Sequence, residues 1–378
     1  LTKFALEVAI NPQTTNWQVS YDSRRNEPIC LPVKFPLVLA QGVEGIAVGL
    51  ATKILPHNFV ELIQASIKVL EGKKFKLYPD FQTGGMMDAG DYQSGLRGGK
   101  IRVRVKIDKL DKSTLVIREI PYGVTTGTLM ESIVKASEKG QIKIKKLSDN
   151  TAAEVEVLIE LQPGVSPDQT IDALYAFTQC ETSISPNSCV IIDNKPVFLA
   201  VEEILRQSTF YTQELLRQEL TIRLGELQEK WHFASLEKIF IEKRIYRDIE
   251  ESETWEDVID VIGLGLAKYI ATPSSKTKAD KRLLLHRDIT VEDIQRLTEI
   301  RIKRISKYNS FQADELILGI ETELTQVRHD LAHLTEYTIA YFQRLLDKYG
   351  KGRERKTEIT TFDTIQAAKV IASNAKLY

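Results

Sequence analysis

Residues 31–58, LPVKFPLVLAQGVEGIAVGLATKILPHN, hold the side chains best suited to chemistry on a stacked polymer. Pro32 and Pro36 stiffen the entry, and Gly42, Gly45 and Gly49 interrupt an apolar run that carries almost no charge. Glycines at such intervals allow sharp turns and close backbone approach. They leave Ile46 and Val48 on a thin, bendable ridge. Lys34 and Lys53 flank the ridge, and His57 and Asn58 close it. An apolar wedge between cations suits insertion between stacked bases, because the cations hold phosphate while the wedge unstacks a step. The same composition also fits a buried strand–turn–helix corner.

Residues 97–118 supply the second candidate contact. Arg97, Lys100, Arg102, Arg104, Lys106, Lys109, Lys112 and Arg118 face only Asp108 and Asp111, in a chain whose net charge is −1. Within IRVRVKI, residues 101–107, apolar and basic side chains alternate, so as a strand it has one buried and one cationic face. Such a stripe neutralises phosphates without reading bases. A solvated sheet face is the plain alternative. Two further patterns fail as sites. HDLAH, with His329 and His333, is similar to a HExxH zinc motif, but Asp330 is too short for the glutamate's work and no third ligand is evident. SGLRGGKI has Ser94 and Ile101 where a phosphate-binding loop needs glycine and Ser/Thr. No carboxylate cluster suggests a metal, and no catalytic residue is assigned within the chain.

The elements that must position these residues follow from periodicity. With 378 residues, 43% hydrophobic and 27% charged, the chain has the composition of a globular protein of two or three domains. Cys30, Cys180 and Cys189 have no CxxC spacing and cannot all pair, which fits a reducing cytoplasm. No apolar stretch approaches a membrane span. Residues 1–10 have helical spacing that breaks at Asn11-Pro12, and residues 14–28 are polar and turn-rich. Residues 59–72 predict an amphipathic helix capped by Asn58. Strands over 101–107, 114–120, 140–147 and 153–161, with helices over 124–138 and 171–180, predict an α+β domain ending near Ala200. From Val201 to Ile249 the chain predicts one long charged helix, with Leu220, Leu224, Leu227, Trp231 and Ala234 as a seam. Ile317, Ile320, Leu324, Val327, Leu331, Leu334, Thr338, Tyr341 and Leu345 repeat at 3-4-3-4, the stripe of an antiparallel coiled-coil partner over 311–349. Short helices are expected between, around ATPSSKTKAD.

The ridge segment resembles the signature PxKxPxLLxxGxxGIAVGxATxIPPHN of the A subunits of bacterial type IIA topoisomerases, DNA gyrase and topoisomerase IV. PDFQTGG, residues 79–85, is similar to the family's PDFPTGG. IQRLTEIRIKRIS and GRERKTEI also resemble family segments. Ala40-Gln41, Lys53 and Leu55 depart from the usual Val-Asn, Asn and Pro, as in a divergent branch leaning to topoisomerase IV. The resemblance implies a layout: 1–30, the end of a winged-helix domain and a connector; 31–200, a tower domain of mixed sheet and helices; 201–249, an outgoing coiled-coil helix. It continues with 250–308, a small helical C-gate dimerisation globule; 309–350, the returning helix; and 351–378, a linker toward a missing C-terminal domain.

By the same resemblance Ile46 is the isoleucine that intercalates into bent double-stranded DNA. Lys34, Lys53, His57, Asn58, Arg97, Lys100, Arg102 and Arg104 are the accompanying contacts, with Gly98, Lys100 and Arg104 matching the tower motif. The nucleophilic tyrosine is expected about five residues before Leu1, so this piece alone is expected to be inactive. Tyr21 lies in YDS, which matches a non-catalytic NYDG turn. Mg²⁺ and ATP are expected on a B-type partner, none in this chain, with homodimerisation through the coiled-coil tip and no membrane partner. The implied activity is an ATP-dependent type II topoisomerase, of the topoisomerase IV kind or the gyrase kind. A non-enzymatic DNA-bending scaffold is the reading from another class.

Overall fold

Two units account for the chain in the computed structural model, which describes residues 1–152, 154–274, 282–306, 310–363 and 365. Leu1–Ile10, Leu31–Gln213 and Thr338–Tyr378 form the first, and Asn11–Cys30 with Glu214–Tyr337 the second. Helix Val201–Glu242 contributes residues to both.

The first unit holds two four-stranded sheets. One runs Glu181–Ile184, Ile101–Arg104, Met86–Asp88, Glu358–Ile359, antiparallel except for the parallel last pair. The other runs Lys106–Lys109, Thr114–Glu119, Val157–Leu161, Ile144–Asp149 and is antiparallel throughout. The strand expected over 101–107 is therefore divided between sheets. Ile101 and Val103 enter a core shared with Leu62 and Val69 of helix Phe59–Leu70. Val105 enters a second core, with Leu129 and Ile133 of helix Thr126–Glu138 and Leu174 of helix Pro167–Phe177. Its N–H donates to the Cys180 carbonyl at 2.9 Å, and only beyond it does the chain pair with Thr114–Glu119. The apolar alternation survives because each inward residue finds a core, but not the same one.

Residues 351–378, expected as a linker, are bound to this unit as far as they are described. Arg355 grips the Glu61 carboxylate at 2.6 and 2.5 Å and donates to the carbonyls of Pro79 and Tyr78. The buried Thr357 hydroxyl accepts from the Phe81 N–H at 2.7 Å, and Phe362 is buried. A bidentate arginine, a parallel strand and a buried ring fix this segment, none of which is visible in local periodicity.

In the second unit, the stretch 14–28, read as turn-rich, falls in an exposed hairpin, Asn16–Val19 paired with Asn26–Cys30. Helix Ser310–Ala332 lies antiparallel to the helix ending at Glu242. Arg223 meets Glu323 at 2.6 Å, Trp231 meets Glu321 at 2.9 Å, Lys238 meets Asp314, and Ser310 meets Glu242. Leu220 and Leu227 pack with Ile320, Leu324 and Val327 between them, with Leu224, Trp231 and Leu331 beside the seam, as the 3-4 spacing predicts. The returning helix expected over 309–350 is divided at His333 into Ser310–Ala332 and Leu334–Tyr349. The outgoing helix ends at Glu242 instead of Ile249, where Arg244 turns left-handed at φ +56°. Beyond it, Leu236 and Phe240 share a core with Ile262 and Leu266 of helix Trp255–Ala267 and with Ile294 and Leu297 of helix Val291–Thr298. Most of the break expected at ATPSSKTKAD, and residues 307–309, lie outside the described residues. Among the described residues no helix is long and apolar enough to cross a membrane.

Candidate nucleic-acid interface

A short helix, Leu37–Gln41, stops at Gly42, whose φ of +69° and ψ of 161° fall in a region open essentially to glycine alone. A Cβ there would lie 2.8 Å from the Ile54 carbonyl oxygen and 2.9 Å from the Pro56 nitrogen. This close approach launches the hairpin Val43–Ala47/Leu50–Ile54, closed by Gly49 at φ +79°. Gly42→Ala is expected to cost about 1–3 kcal/mol and to loosen the hairpin, read as faster amide exchange across its strands. Unchanged exchange would show that the glycine is dispensable.

The register sets Ile46 opposite Ala51 and Glu44 opposite Lys53. Strand alternation puts Ile46 on the same face as the Glu44–Lys53 ion pair, which closes at 2.9 Å. Ile46 is 90% exposed, and Val48 at the tip is fully exposed. The buried-corner alternative is excluded. Covering an isoleucine stabilises by roughly 1.5–3 kcal/mol, so this crest holds binding energy that the fold leaves unused.

The hairpin is stitched to a segment that sequence reasoning missed. Lys53 and Asn187 exchange backbone hydrogen bonds at 2.8 and 3.0 Å. The Thr52 hydroxyl donates to the Cys189 carbonyl at 2.9 Å, and the Asn187 amide donates to the Ala51 carbonyl at 2.7 Å. On its other side, Ser188 donates twice to the Gly95 carbonyl, at 3.0 Å from its N–H and 2.9 Å from its hydroxyl. Gly95 belongs to the loop that carries the exposed Arg97 and Lys100. Asn187–Cys189 thus ties the crest to the loop with these two cations. Asparagine and serine in a loop gave no signal of this role.

Other expected contacts are wholly or partly turned inward. Lys34 is 9% exposed, with its ammonium 5.7 Å from the centre of the Tyr341 ring. Asn58 is buried as the cap of helix Phe59–Leu70, accepting from Val60 and Glu61 while its amide donates to Asp80 and the Arg353 carbonyl. Arg104 is 8% exposed, bonded to Glu181 at 2.5 Å and stacked on Phe362 and Tyr175. Arg102, half-buried, reaches Asp88 at 2.6 Å and the Phe362 carbonyl at 3.1 Å. The cationic face of this strand is neutralised by acidic and aromatic groups from distant segments. Downstream, Lys109 pairs with Asp168 and Arg118 approaches Asp108 at 3.9 Å.

His57 is buried between the Leu39 carbonyl (3.3 Å from Nδ1) and the Tyr92 hydroxyl (3.2 Å from Nε2). Burial pushes its imidazole down to about 4 from an ordinary 6.5. The folded form therefore binds its proton less readily than the unfolded chain. The stability this neutral ring allows is complete above pH 6.5 and is lost as pH falls toward 4, by up to about 3 kcal/mol. Amide exchange in helix Phe59–Leu70 at pH 7 and pH 4.5 should show this loss, and His57→Gln should reduce it. Equal pH dependence in both proteins would rule the imidazole out as the cause.

The remaining motifs lie apart from the crest. His329 and His333 stack with ring centres 4.3 Å apart on an exposed helical stretch. Tyr21 is fully exposed beside the turn of its hairpin. Among the described residues no group of three or more His, Cys, Asp or Glu side chains could hold a metal ion.

Residues 1–343 match the sequence family of the DNA gyrase/topoisomerase IV A subunit. The chain is 35% identical over its full length to the A subunit of DNA topoisomerase 4 from Borreliella burgdorferi, of which it spans 58%. It is 30% identical over 81% of its length to the DNA gyrase A subunit of Leptospira biflexa, spanning 37% of that protein. With the gyrase A subunit of Lawsonia intracellularis it shares 28% identity over 83% of its length, spanning 38% of that protein.

Proposed function

We propose that this chain, which belongs to the family of DNA gyrase and topoisomerase IV A subunits, bends and holds the duplex that a type II DNA topoisomerase cuts, and forms that enzyme's exit gate. The observation that carries the reading is Ile46, bare on a hairpin crest in a chain that matches the family over 1–343. Bending a site of 20–30 base pairs costs about 1–6 kcal/mol. Wedging Ile46 into one step localises the bend, and Arg97 and Lys100, with Lys53 once it exchanges Glu44 for phosphate, offset its cost. Lys34, His57 and Asn58 support the wedge from beneath, as framework and not as contacts.

The first unit serves as the tower. The antiparallel helices of the second serve as the coiled coil, with the core around Leu266 and Leu297 as the C-gate globule through which two copies pair. ATP and Mg²⁺ belong to a B-type partner in the cytoplasm. The topoisomerase IV form is favoured by the 35% identity, over the whole chain, to the topoisomerase 4 protein of Borreliella burgdorferi.

End-labelled duplexes of about 30 base pairs test the reading. Energy transfer between the ends should rise when protein is added and fall steeply with salt. A straight duplex at saturating protein would overturn the proposal.

A further inference from the structure

A second exposed hairpin stands beside the crest. Cys189–Ile192 pairs with Lys195–Phe198 across a two-residue turn, Asp193-Asn194, both left-handed at φ +49° and +61°. Such turns match the twist of the flanking strands and favour Asp and Asn. Its first strand grows directly out of Asn187–Cys189, the segment bonded to Lys53, Thr52 and Ala51. The bridge between Lys53 and Asn187 is antiparallel. Going up from it, one strand therefore runs from Lys53 toward Gly49 while the other runs from Asn187 toward Ile191. Ile191 is carried toward the tip where Val48 stands.

Ile191 is 77% exposed, and Lys195 is exposed just past the turn. An isoleucine is again left bare on a pinned two-stranded ribbon, and Lys195, in register with Ile192, stands on the ribbon's other face just past the turn. Ile46, Val48 and Ile191 are thus bared on neighbouring ribbons, and apolar side chains grouped in this way mark binding surfaces where scattered ones do not. Its occupant follows from charge. Lys53, Lys195, Arg97 and Lys100 belong to the segments joined through Asn187–Cys189, and basic groups rimming an apolar crest suit a polyanion with an apolar, stackable interior.

We propose that the hairpin 189–198 is a second DNA-contact element, with Ile191 pressing into the groove beside the step opened by Ile46 and Lys195 taking a phosphate. The proposal rests on the duplex-bending reading above. Two ribbons gripping adjacent steps would fix the direction of the bend as well as its position, which a single wedge cannot do.

The test compares the wild-type protein, Ile191→Ala, Lys195→Ala and Ile46→Ala in the assembled enzyme, using end-labelled duplex. Both Ile191 and Lys195 are exposed, so the fold should tolerate either change. Ile191→Ala should lower the bent fraction several-fold. Lys195→Ala should reduce the slope of log affinity against log salt by about one. Should Ile46→Ala lose bending while Ile191→Ala and Lys195→Ala both behave as wild type, the second contact is overturned and the wedge stands. Should all three behave as wild type, the duplex-bending reading itself fails.

Discussion

Ile46→Ala in the assembled enzyme is expected to lower DNA bending and cleavage by about 10- to 100-fold while leaving thermal unfolding unchanged. The separation follows from exposure. A side chain that is 90% exposed contributes almost no packing to the free protein. Inserted between bases it is covered, and losing most of that burial removes roughly 1.5–3 kcal/mol, which converts to the stated range. Ile46→Met keeps most of the apolar surface and should retain most of the bending. Ile46→Asp should behave worse than Ala, because a carboxylate is repelled by phosphate. A drop in melting temperature parallel to the loss of bending would instead assign the effect to folding.

Arg287→Ala is expected to be the most damaging single change in the second unit, costing about 3–5 kcal/mol. Arg287 joins two carboxylates, reaching Glu229 at 2.9 and 2.8 Å and Asp293 at 2.6 and 3.0 Å. Asp293 is buried and caps helix Val291–Thr298 through Thr290. Burial pushes its carboxyl up, but the guanidinium and the Thr290 N–H outweigh that and hold it well below the ordinary carboxylate range. Against the same carboxylate lies the buried His232, at 3.3 Å, whose ring meets His286 edge to face at 5.1 Å. His286 in turn meets Glu229 at 3.0 Å. Removing the arginine leaves a buried carboxylate with only the His232 imidazole and the N–H and hydroxyl of Thr290 against it. Trp17, Trp231 and Trp255 are the chain's three tryptophans, and all lie in this unit. Indole fluorescence during urea unfolding therefore reports it selectively. A midpoint unchanged from wild type would show that the network carries no stability.

The legible parts of this molecule are those set by local spacing. The 3-4 stripe from Ile320 to Leu331 marks the antiparallel helix pair, and Asn58 marks the start of its helix. The glycines of residues 42–49 mark a turn whose crest is indeed bare. The missed parts depend on residues far apart in the chain. Nothing in IRVRVKI shows that Asp88, Glu181 and Phe362 wait opposite its arginines, so the cationic face read from alternation is largely filled. Likewise, nothing near Lys34 announces Tyr341, over 300 residues away, as the ring beneath its ammonium. The hairpin at 189–198 does have a local signal. Asp193-Asn194 between CVII and KPVF is a two-residue left-handed turn between short apolar strands, a pattern of turn chemistry that charge alone does not reveal.

Base unstacking at a single step tests the wedge most directly. A duplex carrying a fluorescent adenine analogue at the step that Ile46 enters should brighten when wild-type protein binds, as the base loses its stacking neighbour. Ile46→Ala, bound to saturation, should leave that base dark. Equal brightening with both proteins, or none with either at any step, would contradict an isoleucine-driven opening of the duplex.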